Sequence, residues 1–290
     1  MIHRRFLPLL LACYVGCATG QTDEEPEGDQ LPMQPEPAAE GWSKETKALA
    51  LNGALAGAVA LYGTGFWDFG GKAFTTADEG WFGEDTAYGG ADKMGHAYAA
   101  YLATLGLSSI YESWGYERSK ADAFGALSTF GALALVEVGD AYSKNGFSSE
   151  DIVMDAAGVL FGYARRRSPT LERFLDFRVQ YVPSRAVTEG GRMDILTDYS
   201  GFKYVLAFKL EGFERLQPEW LKYIELHLGY YTRGYLTADQ PFFDSQSRHL
   251  YVAVGFNLAR LFRKVGQKTL GTIFTYYQAP YTYVSNDGFG

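Results

Sequence analysis

The spacing of apolar residues changes at Pro169, and this change constrains the fold more than any other feature of the chain. Between 43 and 165 there are segments of helical length that are rich in apolar and small residues. From 175 onward, apolar and polar residues alternate. A repeat near 3.6 is typical of helices, and a repeat of two is typical of strands. The sequence therefore predicts an α+β fold, with a helical region at 42–167 and an antiparallel β region at 168–290.

The helical region is predicted to form a bundle of about four helices. The predicted helices cover 43–61, 92–112, 118–143 and 148–165. Ser43 and Ser148 are suited to the N-caps of the first and fourth helices, and a run of arginines suits the end of the fourth. The first helix is apolar almost all round, which is typical of a helix at the centre of a bundle or in a membrane.

The β region is predicted to be an open sheet or a partial barrel. Clear alternation covers 175–181, 204–210, 224–230 and 250–258, and an aromatic run at 272–284 predicts a further strand broken at Pro280. Such alternation is typical of strands with one wet face and also of outer-membrane strands. The 21 Tyr and 20 Phe favour lipid contact. A closed single-chain barrel needs at least about eight strands. We therefore expect a curved sheet that packs on the helices or rests on a membrane surface.

The N-terminus is predicted to be a bacterial lipoprotein signal over 1–17. A short basic start precedes an apolar run that is too short to span a bilayer, and a small residue precedes Cys17. Lipidation at Cys13 and ordinary cleavage after Gly20 are the alternatives. Residues 18–41 are acidic and proline-rich, which predicts a disordered tether. The sequence thus predicts a lipid-anchored protein of the bacterial envelope, in the periplasm or at the outer membrane.

Charge and cysteine content exclude several functions. The formal net charge is −8, and an acidic chain has no general attraction to nucleic acid. No cysteine follows Cys17, which excludes a disulfide and thiol catalysis within the mature chain. The expected partner is membrane lipid, through the anchor and through the β region. No cofactor is predicted.

Three motifs place ionisable residues on the otherwise apolar helices. They are Asp92-Lys93-x-x-His96, Glu137-x-x-Asp140 and Phe147-Ser148-x-x-Asp151-x-x-x-Asp155. Residues three or four apart lie on one helix face, so each motif gathers its side chains on one side. Ionisable groups are costly to bury unless they pair with one another or serve a site. We therefore expect these side chains to form one cluster where the helices meet.

One interpretation of the cluster is a hydrolytic or transfer site for an envelope lipid or glycolipid. His96 would be the general base or nucleophile, Glu137 its orienting partner, and Lys93 the group that stabilises a phosphate or oxyanion, with Asp92 beside them. A variant holds a divalent metal on His96, Glu137 and Asp155. One histidine among scattered acids is a poor zinc set, so no metal is predicted.

The other interpretation is a buried polar network that fixes the register of the helices. Lys93 would pair with Asp140 or Glu137, and His96 would be neutral. The remaining members of the network would be Asp140, Ser148, Asp151 and Asp155. We predict a structural or interaction role on this basis, with the envelope enzyme as the alternative. His227 and His249 are predicted to face water or neighbouring strands.

The motifs resemble those of known families. The Asp92-Lys93-x-x-His96 start is similar to that of the VanZ-like group of small membrane proteins. With the Glu137 pair and the opening at Phe147-Ser148, the chain more closely resembles the YfiM-like family of predicted bacterial periplasmic lipoproteins, whose function is unknown. The second half resembles longer members of that family at Asp198-Tyr199, Pro218-Glu219-Trp220-Leu221 and Arg248-x-Leu250-Tyr251. The resemblance covers roughly 43–261, is strongest over 92–162, and implies a periplasmic lipoprotein.

Overall fold

The computed structural model describes residues 41–191, 195 and 197–289. The predicted signal peptide, both candidate lipidation residues Cys13 and Cys17, and all of the predicted tether except Gly41 lie outside the described residues. The fold below is therefore that of the two predicted folded regions.

Long helices make up the first half of the described chain. They are α1 at Lys44–Phe66, α2 at Ala91–Ser113, α3 at Arg118–Ala141 and α4 at Ser149–Arg167. The side chain of Ser43 accepts a hydrogen bond from the amide of Thr46 and begins α1, and Ser148 begins α4 in the same way. A short parallel pair, β1 at Thr76–Ala77 and β2 at Phe147–Ser148, ties the segment before α2 to the start of α4.

Glycines on α4 let its backbone touch α2. A Cβ atom at Gly158 would lie 2.1 Å from the carbonyl oxygen of Ala97, and one at Gly162 would lie 3.1 Å from the Cβ of Thr104. Gly158 meets Ala97, and Gly162, further along α4, meets Thr104, further along α2. The two helices therefore run in the same direction. The first turns of the two helices are therefore neighbours, which is where the predicted ionisable motifs lie.

After α5 at Pro169–Phe174 the chain forms an antiparallel sheet in which each strand pairs with the next. The strands are β3 at Leu175–Tyr181, β4 at Phe202–Lys209, β5 at Ile224–Arg233, β6 at Ser247–Phe256, β7 at Tyr283–Ser285 and β8 at Gly288–Phe289. Within the described residues the edge strands β3 and β8 do not pair with each other, so the sheet is open. The α+β prediction is confirmed.

Short helices also occur within the β region, which the sequence did not predict. Besides α5, they are α6 at Arg185–Thr188, α7 at Leu258–Lys264 and α8 at Lys268–Tyr276. The strand predicted at 272–284 is wrong in its first part, because α8 continues to Tyr276. The ring of Phe274 stacks on Phe262 of α7 with 5.2 Å between ring centroids. This tertiary contact outweighs the strand preference of the aromatic residues.

The helices and the sheet share one hydrophobic core. Tyr98 and Tyr101 of α2 lie against Phe177 of β3, with ring centroids 5.2 Å and 5.8 Å apart. Tyr204 of β4 completes the contact at 6.4 Å from Tyr98. The β3–β4 half of the sheet is therefore covered by α2. By length and apolar composition, α1 and α3 are each able to cross a membrane, and the most apolar stretch of α1 is almost entirely unburied.

Candidate functional site

The starts of α2 and α4 carry a buried ionic cluster. We call it the Lys93–His96 cluster, and its members are Glu79, Asp92, Lys93, His96, Asp151 and Asp155. Helical spacing puts Asp92 and His96 on one face of α2, and Asp151 and Asp155 on the facing side of α4. The parallel packing of the two helices then brings the faces together. The structure thus joins two of the three predicted motifs in direct contact.

Lys93 lies at the centre of the cluster. Its Nζ atom is 2.6 Å from Glu79 Oε2, 2.6 Å from Asp151 Oδ1 and 3.4 Å from Asp92 Oδ2. The residue is only 2% exposed. Burial alone would lower the pKa of Lys93, but the carboxylates of Asp92 and Asp151 raise it well above its ordinary value. The expected pairing with Asp140 or Glu137 is replaced by these contacts.

His96 is held by the acids of α4. Its Nδ1 atom lies 3.0 Å from Asp155 Oδ1, and its Nε2 atom lies 3.7 Å from Asp151 Oδ1. Burial lowers the pKa of His96, but the hydrogen bond and the charge of Asp155 outweigh burial and raise the pKa to about 10. The imidazole is therefore protonated at neutral pH, so that Nδ1 donates to Asp155. The expectation of a neutral His96 is corrected by this charge environment.

The Glu137-x-x-Asp140 motif lies on α3, and Glu137 fixes the start of α4. Glu137 Oε2 accepts a hydrogen bond from the amide of Ser148 at 3.2 Å, and the Ser148 side chain accepts one from the amide of Asp151 at 3.3 Å. Asp140 accepts hydrogen bonds from Ser143, at 3.2 Å, and from the side-chain amide of Asn145. Burial, and then the charge of Asp151, raise the pKa of Glu137 to about 8. Glu137 is therefore largely neutral at pH 7.

Two members of the site were missed by sequence reasoning. Glu79 lies in the connection between α1 and α2, where no periodicity marks it, and reaches Lys93 across that connection. Tyr199 lies just before β4, and its hydroxyl donates to Asp92 Oδ1 at 2.6 Å. The Asp198-Tyr199 pair was noted for its resemblance to the YfiM-like family. Its contact with α2 depends on the tertiary fold.

A divalent metal does not fit the cluster as it stands. Ligand atoms of Asp92, His96 and Asp151 all lie within 4.8 Å of one another, which is close enough to share an ion. The ammonium group of Lys93 already contacts two of these three residues. Nδ1 of His96 is taken by Asp155, which leaves Nε2 for an ion. An ion would have to displace the Lys93 ammonium from Asp92 and Asp151.

A second buried ionic cluster joins the end of α4 to the sheet, and we call it the sheet cluster. Its members are Arg165, Asp176, Arg178, Lys209, Glu225 and His227. Asp176 accepts from Arg165, Arg178 and Lys209, each at 2.8 Å. Burial raises the pKa of Asp176, but Arg178, then Lys209 and Arg165, lower it to about 2.

His227 belongs to the sheet cluster and is not exposed to water. Its Nε2 atom lies 2.9 Å from Glu225 Oε1, and both side chains are buried. Alternation along β5 put His227 on the polar face of the strand correctly. That face is the buried one, which the alternation does not reveal.

The fold and the site define an α+β protein with an ionic cluster sealed between parallel helices. A family model described as predicted periplasmic lipoprotein (DUF2279) matches residues 78–167. The match covers every member of the Lys93–His96 cluster and supports an envelope lipoprotein of the periplasm. The closer resemblance to YfiM-like and VanZ-like proteins and a place at the outer membrane stay predictions. No curated protein and no solved structure matches the chain.

Proposed function

We propose that this lipoprotein has a structural or interaction role at the envelope, and that the Lys93–His96 cluster is a clamp between α2 and α4. The observation that carries the proposal is the burial and pairing of Lys93, which is 2% exposed and contacts three carboxylates. An ammonium in this position is unavailable to a substrate. Truncating one partner of a buried ion pair is strongly destabilising, so such a cluster fixes helix register.

The protonation of His96 also supports the structural role over the enzyme. A general base must accept a proton at working pH, whereas the raised pKa of His96, about 10, keeps the ring charged. Lys93 is committed to its ion pairs, and Glu137 accepts the amide hydrogen bond that begins α4. All four residues assigned to catalysis in the enzyme alternative thus have structural partners, because Asp92 also accepts a hydrogen bond from Tyr199.

We further propose the organisation expected from the sequence. A signal over 1–17 ends in a lipidated Cys17, 18–41 is a tether, and the two folded regions are 42–167 and 168–290. The protein would then be held at the outer membrane or face the periplasm. The mass of the mature N-terminal peptide tests the anchor directly. Acylated Cys17 is the expected form, while acylated Cys13 or a free N-terminus at Gln21 would contradict it.

The structural role is tested by His96→Gln in cells that carry no other copy of the protein. The envelope lipid and glycolipid profile is expected to match the wild type, while the amount of folded protein falls. His249→Gln is the matched control, because His249 forms a hydrogen bond with Ser247 and lies outside the cluster. An altered lipid profile at wild-type protein abundance would favour the enzyme and contradict the clamp.

A further inference from the structure

One face of strands β5, β6 and β7 is apolar and exposed. We call it the apolar sheet face, and its members are Leu226, Leu228, Leu250, Val252, Val254 and Val284. They are 47–68% exposed. The register makes them neighbours, because Leu226 pairs with Val254, Leu228 with Val252, and Val254 with Val284. The face is therefore one continuous patch of large aliphatic side chains.

The opposite face of the same strands is buried. It is polar on β5, while Tyr251 and Ala253 of β6 and Tyr283 of β7 form a hydrophobic cluster there. Glu225 and His227 alternate with Leu226 and Leu228 along β5, yet the charged pair is inside and the leucines are outside. A sheet with one face in water normally shows the reverse order. The buried charges are stabilised by their own pairs, such as Glu225 with Arg178. The unusual feature is the continuous exposed patch of aliphatic side chains, and such patches mark surfaces that bind a partner or a membrane. Membrane-facing strands have this polarity, with apolar residues outward and polar residues inward.

One end of the apolar sheet face carries aromatic and basic residues. Phe256 lies opposite Ile224 at this end, and its ring stacks on Tyr223 with 5.7 Å between centroids. The cations of Arg260 and Lys264 lie over the Tyr223 ring, at 5.2 Å and 5.5 Å from its centroid. Arg260 also contacts Glu211 and Glu219.

The helix that supplies these cations is basic, although the chain as a whole is acidic. α7 contains Arg260, Arg263 and Lys264 and no acidic residue, in a chain of net charge −8. Aromatic rings beside cations are typical of the boundary between acyl chains and headgroups. Juxtamembrane cations are attracted to anionic lipid. Arg260 and Arg263 are paired with Glu211. Lys264 is therefore the cation of α7 that this end of the patch offers to an anionic headgroup.

We propose that the apolar sheet face docks on a phospholipid bilayer, with its aliphatic side chains against acyl chains and Lys264 of α7 at anionic headgroups. This rests on the proposed function, because a lipid on Cys17 would keep the folded part near the bilayer. At roughly 3.5 Å per residue, the chain from Cys17 to Lys44 spans at most about 95 Å. The docking surface is thus within reach of the membrane that holds the anchor.

The test uses the full lipoprotein, purified in detergent and reconstituted into vesicles of phosphatidylcholine with a minority of phosphatidylglycerol. No cysteine follows Cys17, so Val252→Cys provides one thiol for a fluorescent dye once Cys17 is acylated. Lipids with a spin label on the acyl chain quench a dye that enters the bilayer. Lys120→Cys is the control, at an exposed polar position near the start of α3.

Quenching at Val252 is expected to exceed quenching at Lys120 at least about three-fold, because the apolar face enters the interface. Equal quenching at the two positions overturns the proposal. Energy transfer between dyes at Val252 on separate copies, without quenching by lipid, also overturns it and assigns the face to a second copy. The peptide mass of Cys17 is measured on the same sample, so that loss of the anchor and loss of docking are distinguishable.

The headgroup contact has its own variant. Lys264→Gln is expected to reduce the quenching at Val252 in vesicles that contain phosphatidylglycerol and to leave it unchanged in phosphatidylcholine alone. Lys120→Gln, far along the chain from α7, is the matched loss of one positive charge. An equal effect of both variants, or no effect of Lys264→Gln in either vesicle, overturns the assignment of α7 to anionic headgroups.

Discussion

Replacing Lys93 with Met removes the one ammonium group around which Glu79, Asp92 and Asp151 gather. Met keeps most of the volume of the Lys side chain, so the variant tests charge and not packing. The two shortest contacts of Lys93 are 2.6 Å each, and the residue is 2% exposed. After the change, the three carboxylates would remain close together on two helices and one connection.

The expected cost is large for a single substitution. Removing one partner of a buried ion pair costs about 3–5 kcal/mol. The lower end of this energy range applies here, because His96 still lies 3.7 Å from Asp151 and supplies positive charge. For domains of roughly 150–250 residues, each kcal/mol moves the unfolding midpoint by about 2–4 °C. We therefore expect Lys93→Met to lower the midpoint at pH 7 by about 6–12 °C.

The loss of stability in Lys93→Met should also depend on pH in a defined direction. Burial raises the pKa of Glu79, and the Lys93 ammonium lowers it. Without the ammonium, the folded-state pKa of Glu79 therefore rises further above the unfolded value, which is about 4. Groups of this kind destabilise the fold as the pH rises above that value. The gap between variant and wild type should therefore be small near pH 4 and wide at pH 7.

Thermal unfolding followed by circular dichroism in one detergent measures both effects. Arg185→Met is the matched control, because it breaks the ion pair of Arg185 with Glu189, whose side chains are 61% and 53% exposed. Exposed pairs contribute about 0–1 kcal/mol, so this midpoint should move little. If Lys93→Met behaves like Arg185→Met, or if its gap does not narrow in acid, the reasoning about the cluster is refuted.

Three further contacts are tested by substitution. His96→Gln should lower the unfolding free energy relative to wild type most strongly below pH 6.5. The difference should close as the pH rises toward 10, because the contacts that raise the pKa of His96 stabilise the fold only while the ring is protonated. Gly158→Ala should cost about 1–3 kcal/mol in urea unfolding, since its Cβ meets Ala97, while Gly131→Ala has open space and should gain about 0.5–1 kcal/mol. Asp176→Asn should cost about 3–5 kcal/mol at pH 7. That gap should shrink as pH falls from 3.8 toward 2, where the lowered pKa of Asp176 no longer stabilises the fold.

The long elements were predictable because their signals are local. Ser43 and Ser148 begin helices where the sequence places N-caps, and the change of period at Pro169 marks the start of the sheet region. The partners of Lys93 were not predictable, because Glu79 lies in an aperiodic connection and Asp151 meets Lys93 only through the packing of α2 on α4. Local spacing predicts which residues share a helix face. It does not predict which face of another element they contact.

The sheet gives a second example of a feature that local sequence predicts only in part. Alternation in β5 separates Glu225 and His227 from Leu226 and Leu228, and both faces were correctly assigned as sets. Which set is buried depends on Arg178, which lies on β3 and contacts Glu225 at 3.0 Å. A strand alone cannot encode that choice.

The Lys93–His96 cluster is linked to the sheet through α2, and this link gives the clamp a consequence for the sheet. At the start of α2, Asp92 accepts from Tyr199, just before β4, and the carbonyl of Gly89 accepts from Tyr230 of β5. Further along α2, Tyr98 packs on Phe177 of β3. A helix held by Lys93 at one end therefore sets the position of three strands. Because packed cores respond as units and not by gradual bending, loosening the clamp should tilt the apolar sheet face as well as weaken the bundle. A protein that must present a fixed surface to lipid gains from a buried cluster of this kind, even where a cluster of apolar residues would be more stable.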